Sequence, residues 1–253
     1  MTSRPLIFTD LDDTLFQTER KCPDGSAQGL RLMSRLADGS PSGYATLRQD
    51  HMLGWLRMGQ VIPVTARSRA VLARVDIEQA PAICGNGGCI LDSAGEVDRD
   101  WHDHLVMLAR NGDAVEDVDA CLMGGLARTR DPAAFRHWVA AENGLKQYIV
   151  IKSNRDEGEV LAEVERDLAA LVPAGWRVHR NDNNLAYLPP WLNKRYAVKY
   201  LLDRLRRDTP DTPVIGIGDS LSDAGFMDLC DLAMTPTPSQ LWKTLTRDNA
   251  WID

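Results

Sequence analysis

Short apolar runs alternate with stretches of helical periodicity in the first and last parts of the chain. Leu6-Ile7-Phe8-Thr9 is β-prone without polar alternation, the pattern of a strand buried on both faces. Val61-Ile62-Pro63-Val64 reads similarly, weakened by Pro63, and Pro213-Val214-Ile215-Gly216-Ile217 makes a third such strand. Ala82-Ile83-Cys84 and Leu232-Ala233-Met234 supply shorter ones. Positions 47–58, 69–75 and 193–205 carry apolar residues at helical spacing. In the last of these, Val198, Leu201, Leu202 and Leu205 fall on one face, as a helix packing on a sheet requires. Buried strands alternating with amphipathic helices predict an α/β core: a doubly wound, Rossmann-like parallel sheet.

The middle of the chain breaks this rhythm. Gly85-Asn86-Gly87-Gly88 is a strong turn signal. After it the pattern predicts helices over 113–126 and 132–142 and a strand over 148–152. A long helix follows, with Val160, Leu161, Val164, Leu168 and Leu171 on one face. Strands over 176–179 and 185–188 then flank a turn at 181–184. These elements predict an α+β module over 87–188, inserted into a core made of 1–86 and 189–253.

At 253 residues the chain can bury a substantial core. A formal charge of -7 argues against sequence-independent binding to nucleic acid or anionic membranes, which calls for a basic face. The run from Met1 to Phe8 is too short for a signal peptide, and no segment approaches the ~20 apolar residues that span a bilayer. Cys22, Cys84, Cys89, Cys121 and Cys230 form no C-x-x-C pair and read as reduced thiols, so the expected location is the cytoplasm.

Candidate chemistry sits at the predicted strand ends, where open α/β sheets bind ligands. Asp10-Leu11-Asp12-Asp13-Thr14 follows the first strand and Thr65-Ala66-Arg67 the second. Gly218-Asp219-Ser220-Leu221-Ser222-Asp223 follows the late strand, and Lys194 opens the helix after the insert. Taken singly, each acidic residue is a plausible cap or turn former. Together they suit phosphoryl chemistry. Crowded carboxylates need a hard cation such as Mg²⁺, which also lets an anionic carboxylate approach a phosphate. Lys194 and the Thr65 hydroxyl can share the phosphoryl charge. A carboxylate nucleophile splits hydrolysis into two steps, and a second carboxyl two residues on can serve as acid and then base.

At this point the sequence resembles the haloacid dehalogenase (HAD) superfamily, in particular its phosphatases. Asp10-Leu11-Asp12-Asp13-Thr14-Leu15 is similar to the family's first motif, D-x-D-x-T-[LV]. The resemblance implies that Asp10 is the nucleophile and Asp12 the general acid/base, with the Asp12 backbone carbonyl joining Asp10 around Mg²⁺. It also implies phosphoryl contacts from Thr65 and Lys194, magnesium ligation by Asp219, and support from Asp223 as a direct or indirect metal partner. The insert between Thr65 and Lys194, entered through Cys84-Gly85-Asn86-Gly87-Gly88, resembles the cap of the type IIB branch. That branch includes sucrose-phosphate and mannosyl-3-phosphoglycerate phosphatases. The implied partner is a small phosphate ester, such as a sugar phosphate, met by Thr65, Ala66, Arg67, Asn86, Lys194 and Ser222.

Two positions depart from the branch pattern. Thr65-Ala66-Arg67 stands where T-G-R is common, and Ser222-Asp223 where an Asn-Asp pair is common. The stretch 16–48 is also longer than usual and reads as a loop or flap reaching the pocket. The motifs leave open a phosphomutase using the same aspartyl phosphate, or a non-catalytic phospho-ligand sensor. Arg67 suits either a substrate clamp or an acidic partner. Asp13 reads as a solvated or capping carboxylate, and His102 and His104 as surface decoration. Trp191 could line the mouth of the site, and Lys146, Lys152 and Arg180 read as solvated charges.

Overall fold

The computed structural model describes residues 4–22, 29–155, 158–181, 183–207 and 209–248. In chain order the first elements are β1 (Leu6–Thr9), β2 (Arg31–Arg35), β3 (Pro41–Ala45), α1 (Leu47–Leu56), β4 (Gln60–Pro63), α2 (Arg69–Leu72), β5 (Ala82–Cys84) and β6 (Cys89–Leu91). The insert holds α3 (Arg99–Arg110), α4 (Val115–Thr129), β7 (Phe135–Glu142), β8 (Leu145–Ser153), α5 (Gly158–Leu168), β9 (Arg177–Asn181) and β10 (Asn184–Leu188). The chain then returns through α6 (Lys194–Leu205), β11 (Val214–Ile217), α7 (Leu221–Met227), β12 (Leu232–Met234) and α8 (Gln240–Thr246).

Two compact units result: Met1–Asp98 with Lys194–Asp253, and Arg99–Asn193. In the first, the sheet order is β12-β11-β1-β4, with every neighbouring pair parallel. A further parallel bridge, Val64 to Ile83, adds β5 beside β4. β1 is central, which explains its unbroken apolar run: Leu6, Ile7, Phe8 and Thr9 are all buried. Pro63 is tolerated because the even-numbered amides face β1, as Gln60 N donates to Pro5 O and Val64 N to Thr9 O. The missing Pro63 donor therefore points away from that ladder. Leu53 and Leu56 of α1 and Leu72 of α2 join Ile7, Leu11, Phe16 and Met33 in the core.

The stretch after the first motif contains a hairpin, with β2 and β3 pairing antiparallel. It is tied to the motif loop by reciprocal backbone bonds between Gln17 and Tyr44, at 3.0 and 2.7 Å. The expected boundary after residue 86 falls in the β5–β6 hairpin, where Cys84 pairs with Cys89. The first unit continues to Asp98, whose carboxylate accepts from Tyr200 Oη at 3.0 Å and Arg204 Nη1 at 2.6 Å, both on α6.

The second unit is an antiparallel sheet of order β7-β8-β10-β9. Its apolar helix faces, Val118, Leu122 and Leu126 on α4 with Leu161, Val164 and Leu168 on α5, are buried. The predicted helix over 132–142 is instead a single 3₁₀ turn, Pro132–Ala134, followed by β7. Phe135, Trp138, Val139 and Glu142 imitate helical spacing. The competing signal was Asn143-Gly144, which folds with φ of 50° and 81° as a two-residue turn between Glu142 and its partner Leu145. α3 also went unpredicted. No helix of the described residues is long and apolar enough to cross a membrane.

Candidate active site

Parallel register brings the motif loops to one edge. Thr9 is level with both Pro63 and Ile217, so the residues that follow β1, β4 and β11 emerge side by side. Asp10 follows β1 directly, and its amide donates to Ile217 O at 2.8 Å. Asp219 lies two residues beyond Ile217, and Thr65 two beyond Pro63. Lys194 is the first residue of α6 and is buried.

The side chains converge. Lys194 Nζ lies 2.7 Å from Asp10 Oδ1 and 2.8 Å from Asp223 Oδ1. The second Asp223 oxygen accepts from Ser220 N at 3.0 Å and Ser220 Oγ at 2.7 Å, so both of its oxygens are engaged. Gly218 makes this possible: a Cβ there would collide with the Asp223 side chain. Thr14 Oγ1 stands 3.3 Å from Asp10 Oδ2 and 3.2 Å from Asp219 Oδ1, and its single proton can serve one of them at a time. The motif's threonine is the sequence signal for this role of Thr14. Ser220 carried no such signal.

Electrostatics follow from burial. Burial drives the Asp10 carboxyl well above the usual carboxylate range against the pull of Lys194, with repulsion from Asp223, Asp219 and Asp12 added. Burial, then repulsion from Asp223 and Asp13, pushes Asp219 up to about 7. Asp223 moves the other way. Burial opposes its charge, but Lys194 and the Ser220 donors outweigh that and hold its pKa below the ordinary value. Burial likewise opposes the Lys194 ammonium, yet Asp10 and Asp223 raise its pKa above the usual lysine value.

This set fits a hard divalent cation. Asp10, Asp219 and Asp223 each offer an oxygen, all within 4.8 Å of one another and all buried. Among the described residues this is the one group of three or more potential metal ligands found. Three buried carboxylates facing one buried ammonium leave negative charge that an oxygen-seeking cation would neutralise. His102 and His104 do not belong to it; they lie on α3, where the His104 ring packs against Trp101 at 5.6 Å between centroids.

The other expected residues fall as follows. Thr65 is buried; its amide donates to Ile83 O at 2.9 Å and its hydroxyl accepts from Arg67 N at 3.0 Å. Asn86 adopts φ 58° and donates its amide to Thr65 O, which fixes the turn after β5. Ala66 is exposed in the same loop. The Ser222 hydroxyl meets Ser220 Oγ at 2.7 Å, on the first turn of α7. Asp13 pairs with Lys21 at 2.7 Å. The Arg67 guanidinium, which suits either a substrate clamp or an acidic partner, grips Asp12 with two bonds: Nε to Oδ2 at 2.7 Å and Nη2 to Oδ1 at 2.6 Å.

In the second unit Lys146 pairs with Glu116 at 2.7 Å and Arg180 with Glu165 at 2.8 Å. Lys152 Nζ lies 6.0 Å from the Trp138 ring centroid. Trp191 is buried.

No family model and no curated protein matches the chain. Solved structures do. The sucrose-phosphatase of Synechocystis sp. PCC6803, in complex with sucrose and phosphate, superposes with a TM-score of 0.59 at 17% identity, covering 100% of this chain and 90% of that one. The trehalose-6-phosphate phosphatase C-terminal domain of C. albicans gives 0.56 at 18% identity, over 90% and 74% of the two chains. Thermoplasma acidophilum 0175 gives 0.55 at 14% identity, over 97% and 90%. Identity this low shows a shared fold alone: a parallel α/β core carrying an inserted α+β module.

Proposed function

We propose that this protein is a Mg²⁺-dependent phosphatase of small phosphorylated metabolites, with Asp10 as the nucleophile. The observation that carries the reading is the convergence of Asp10, Asp219, Asp223 and Lys194 as buried groups at the carboxyl edge of a parallel sheet. The shared fold with a sucrose-phosphatase and a trehalose-6-phosphate phosphatase supports a sugar phosphate as the substrate class. We assign the Arg99–Asn193 unit the role of specificity cap.

Asp10, Asp219 and the Asp12 backbone carbonyl would hold the cation, with Asp223 fixing Lys194 from behind. When bound, the cation supplies charge neutralisation to the phosphate and the carboxylates around it. Lys194 and the Thr65 hydroxyl orient the phosphoryl oxygens. An Asp10 carboxylate oxygen forms a bond to phosphorus as the ester P–O bond breaks, and the departing alkoxide takes the Asp12 proton. Asp12, now a carboxylate, removes a proton from water, whose oxygen attacks the phosphorus of phospho-Asp10. The Asp10–phosphorus bond breaks, releasing phosphate and restoring the carboxylate. Ester and water become alcohol and phosphate.

A Mg²⁺-supported screen of sucrose phosphate, hexose phosphates, phosphoglycerate derivatives and nucleotides tests the reading. Phosphate release is expected with at least one, to be abolished by EDTA and in Asp10→Asn. Undiminished release in Asp10→Asn would remove the mechanism. Conversion to an isomeric sugar phosphate without free phosphate would make the protein a mutase instead.

A further inference from the structure

The motif loop folds back on itself and brings Phe16 beside Asp12. Thr14, Leu15 and Phe16 all donate their amides to Leu11 O, and Asp13 N donates to Phe16 O at 2.8 Å. This turn sets Phe16 beside Asp12 in a bridge. The Phe16 ring is fully buried, and Arg67 Cζ stands 5.2 Å from its centroid. Gly43 of β3 also lies against that ring, where an added Cβ would come within 2.9 Å of Phe16 Cδ2. The Arg67 backbone is pinned as well: its amide donates to Thr65 Oγ1, and its carbonyl accepts from Gly85 N at 2.8 Å. A guanidinium held at its backbone and on one face has little freedom left. Its fork closes on both oxygens of Asp12, a carboxylate whose side chain is 51% exposed.

We infer that Arg67, braced by Phe16 of the loop that carries Asp12, is a positioning residue that holds Asp12 in the orientation its acid and base work needs. The inference rests on the phosphatase reading, in which Asp12 does that work. It also separates two roles for Arg67. A substrate clamp would act on binding; a positioning residue acts on the proton-transfer steps.

The test uses full-length, Mg²⁺-loaded protein with p-nitrophenyl phosphate in rapid mixing. Nitrophenolate leaves without a proton, so phosphorylation of Asp10 proceeds even when Asp12 is misplaced, whereas hydrolysis of phospho-Asp10 still needs the base. In Arg67→Gln, steady-state turnover should fall ~10–100-fold with KM changed less than ~3-fold. A burst of nitrophenolate approaching one per protein should appear. Asp12→Asn should give the same pattern, and the double variant should fall no further than Asp12→Asn alone. Phe16→Leu, which keeps the core apolar but removes the ring, should show a smaller burst of the same kind, and Arg67→Lys should recover part of the turnover. A raised KM without a burst, or additive losses in the double variant, would overturn the inference. Full turnover in Asp10→Asn or Asp12→Asn would sink the parent reading instead. Loss in both with an unaffected Arg67→Gln would sink only the positioning role.

Discussion

Lys194 and Asp10 form an ion pair at 2.7 Å with side chains only 6% and 9% exposed. They are 184 positions apart in sequence and meet because α6 begins where β1 ends. Lys194 also satisfies Asp223, so the removal of one ammonium strands two buried carboxylates. Breaking such a pair costs about 3–5 kcal/mol. Lys194→Ala should therefore lose most of its phosphate release and lower unfolding free energy in EDTA by about that amount, as measured by urea denaturation. A change below ~1 kcal/mol, the value of a surface pair, would show that the ammonium is not buried as described.

Without a cation, the carboxylates should make the protein less stable as pH rises. The folded Asp219 carboxyl titrates near 7 against an ordinary 3.8. Between those values the native state holds a proton that the unfolded chain has lost, so unfolding free energy falls with pH across this window and levels off above it. Asp10, raised by burial, adds the same sign. Asp223, held below its ordinary value, acts in the opposite direction and only at lower pH. In EDTA, thermal stability should decline from about pH 4 to about pH 7. Adding Mg²⁺ near pH 6 should release protons in an unbuffered titration, and Asp219→Asn should reduce that release.

Gly218 and Asp223 approach too closely to admit a side chain at 218. Gly218→Ala should displace Asp223 and with it Lys194, at a cost of about 1–3 kcal/mol from overpacking. Its apparent Mg²⁺ requirement should rise in the same assay. Unchanged activity and stability would mean that the loop after β11 can open freely.

Thiol labelling checks the fold apart from the chemistry. Cys121 is exposed on α4, whereas burial, then Asp231, pushes the Cys230 thiol up to about 11. A maleimide at neutral pH should label Cys121 and leave Cys230 intact, as peptide mapping would show. Labelling of both at similar rates would contradict the packing of Cys230.

Much of this was legible because chemistry and local pattern coincide in the core. β1, β4, β5 and β11 appear as short apolar runs because strands of a covered parallel sheet have no wet face to alternate with, whereas β12 is an exposed edge strand whose apolar run has no such cause. The acidic motifs could be placed at strand ends from those runs alone. The insert was harder. β7 borders its sheet with half of its residues exposed and none buried, so its apolar spacing carried little information and the Asn143-Gly144 turn was the better guide. The β2–β3 hairpin, whose strands meet with register shifts, left no alternation to read.

Sequence alone determined which groups could do chemistry here: Asp10, Asp12, Thr65, Lys194, Asp219 and Asp223, each named by residue type and by its place after a strand or at a helix start. Tertiary structure decided how those groups pair. That Lys194 bridges Asp10 and Asp223, that Thr14 reaches Asp219, and that Arg67 grips Asp12 are contacts between distant segments. Residue type fixes what a side chain can donate or accept, but only the register of the parallel strands, with the helices that start beside them, fixes which partner lies within hydrogen-bond reach of it.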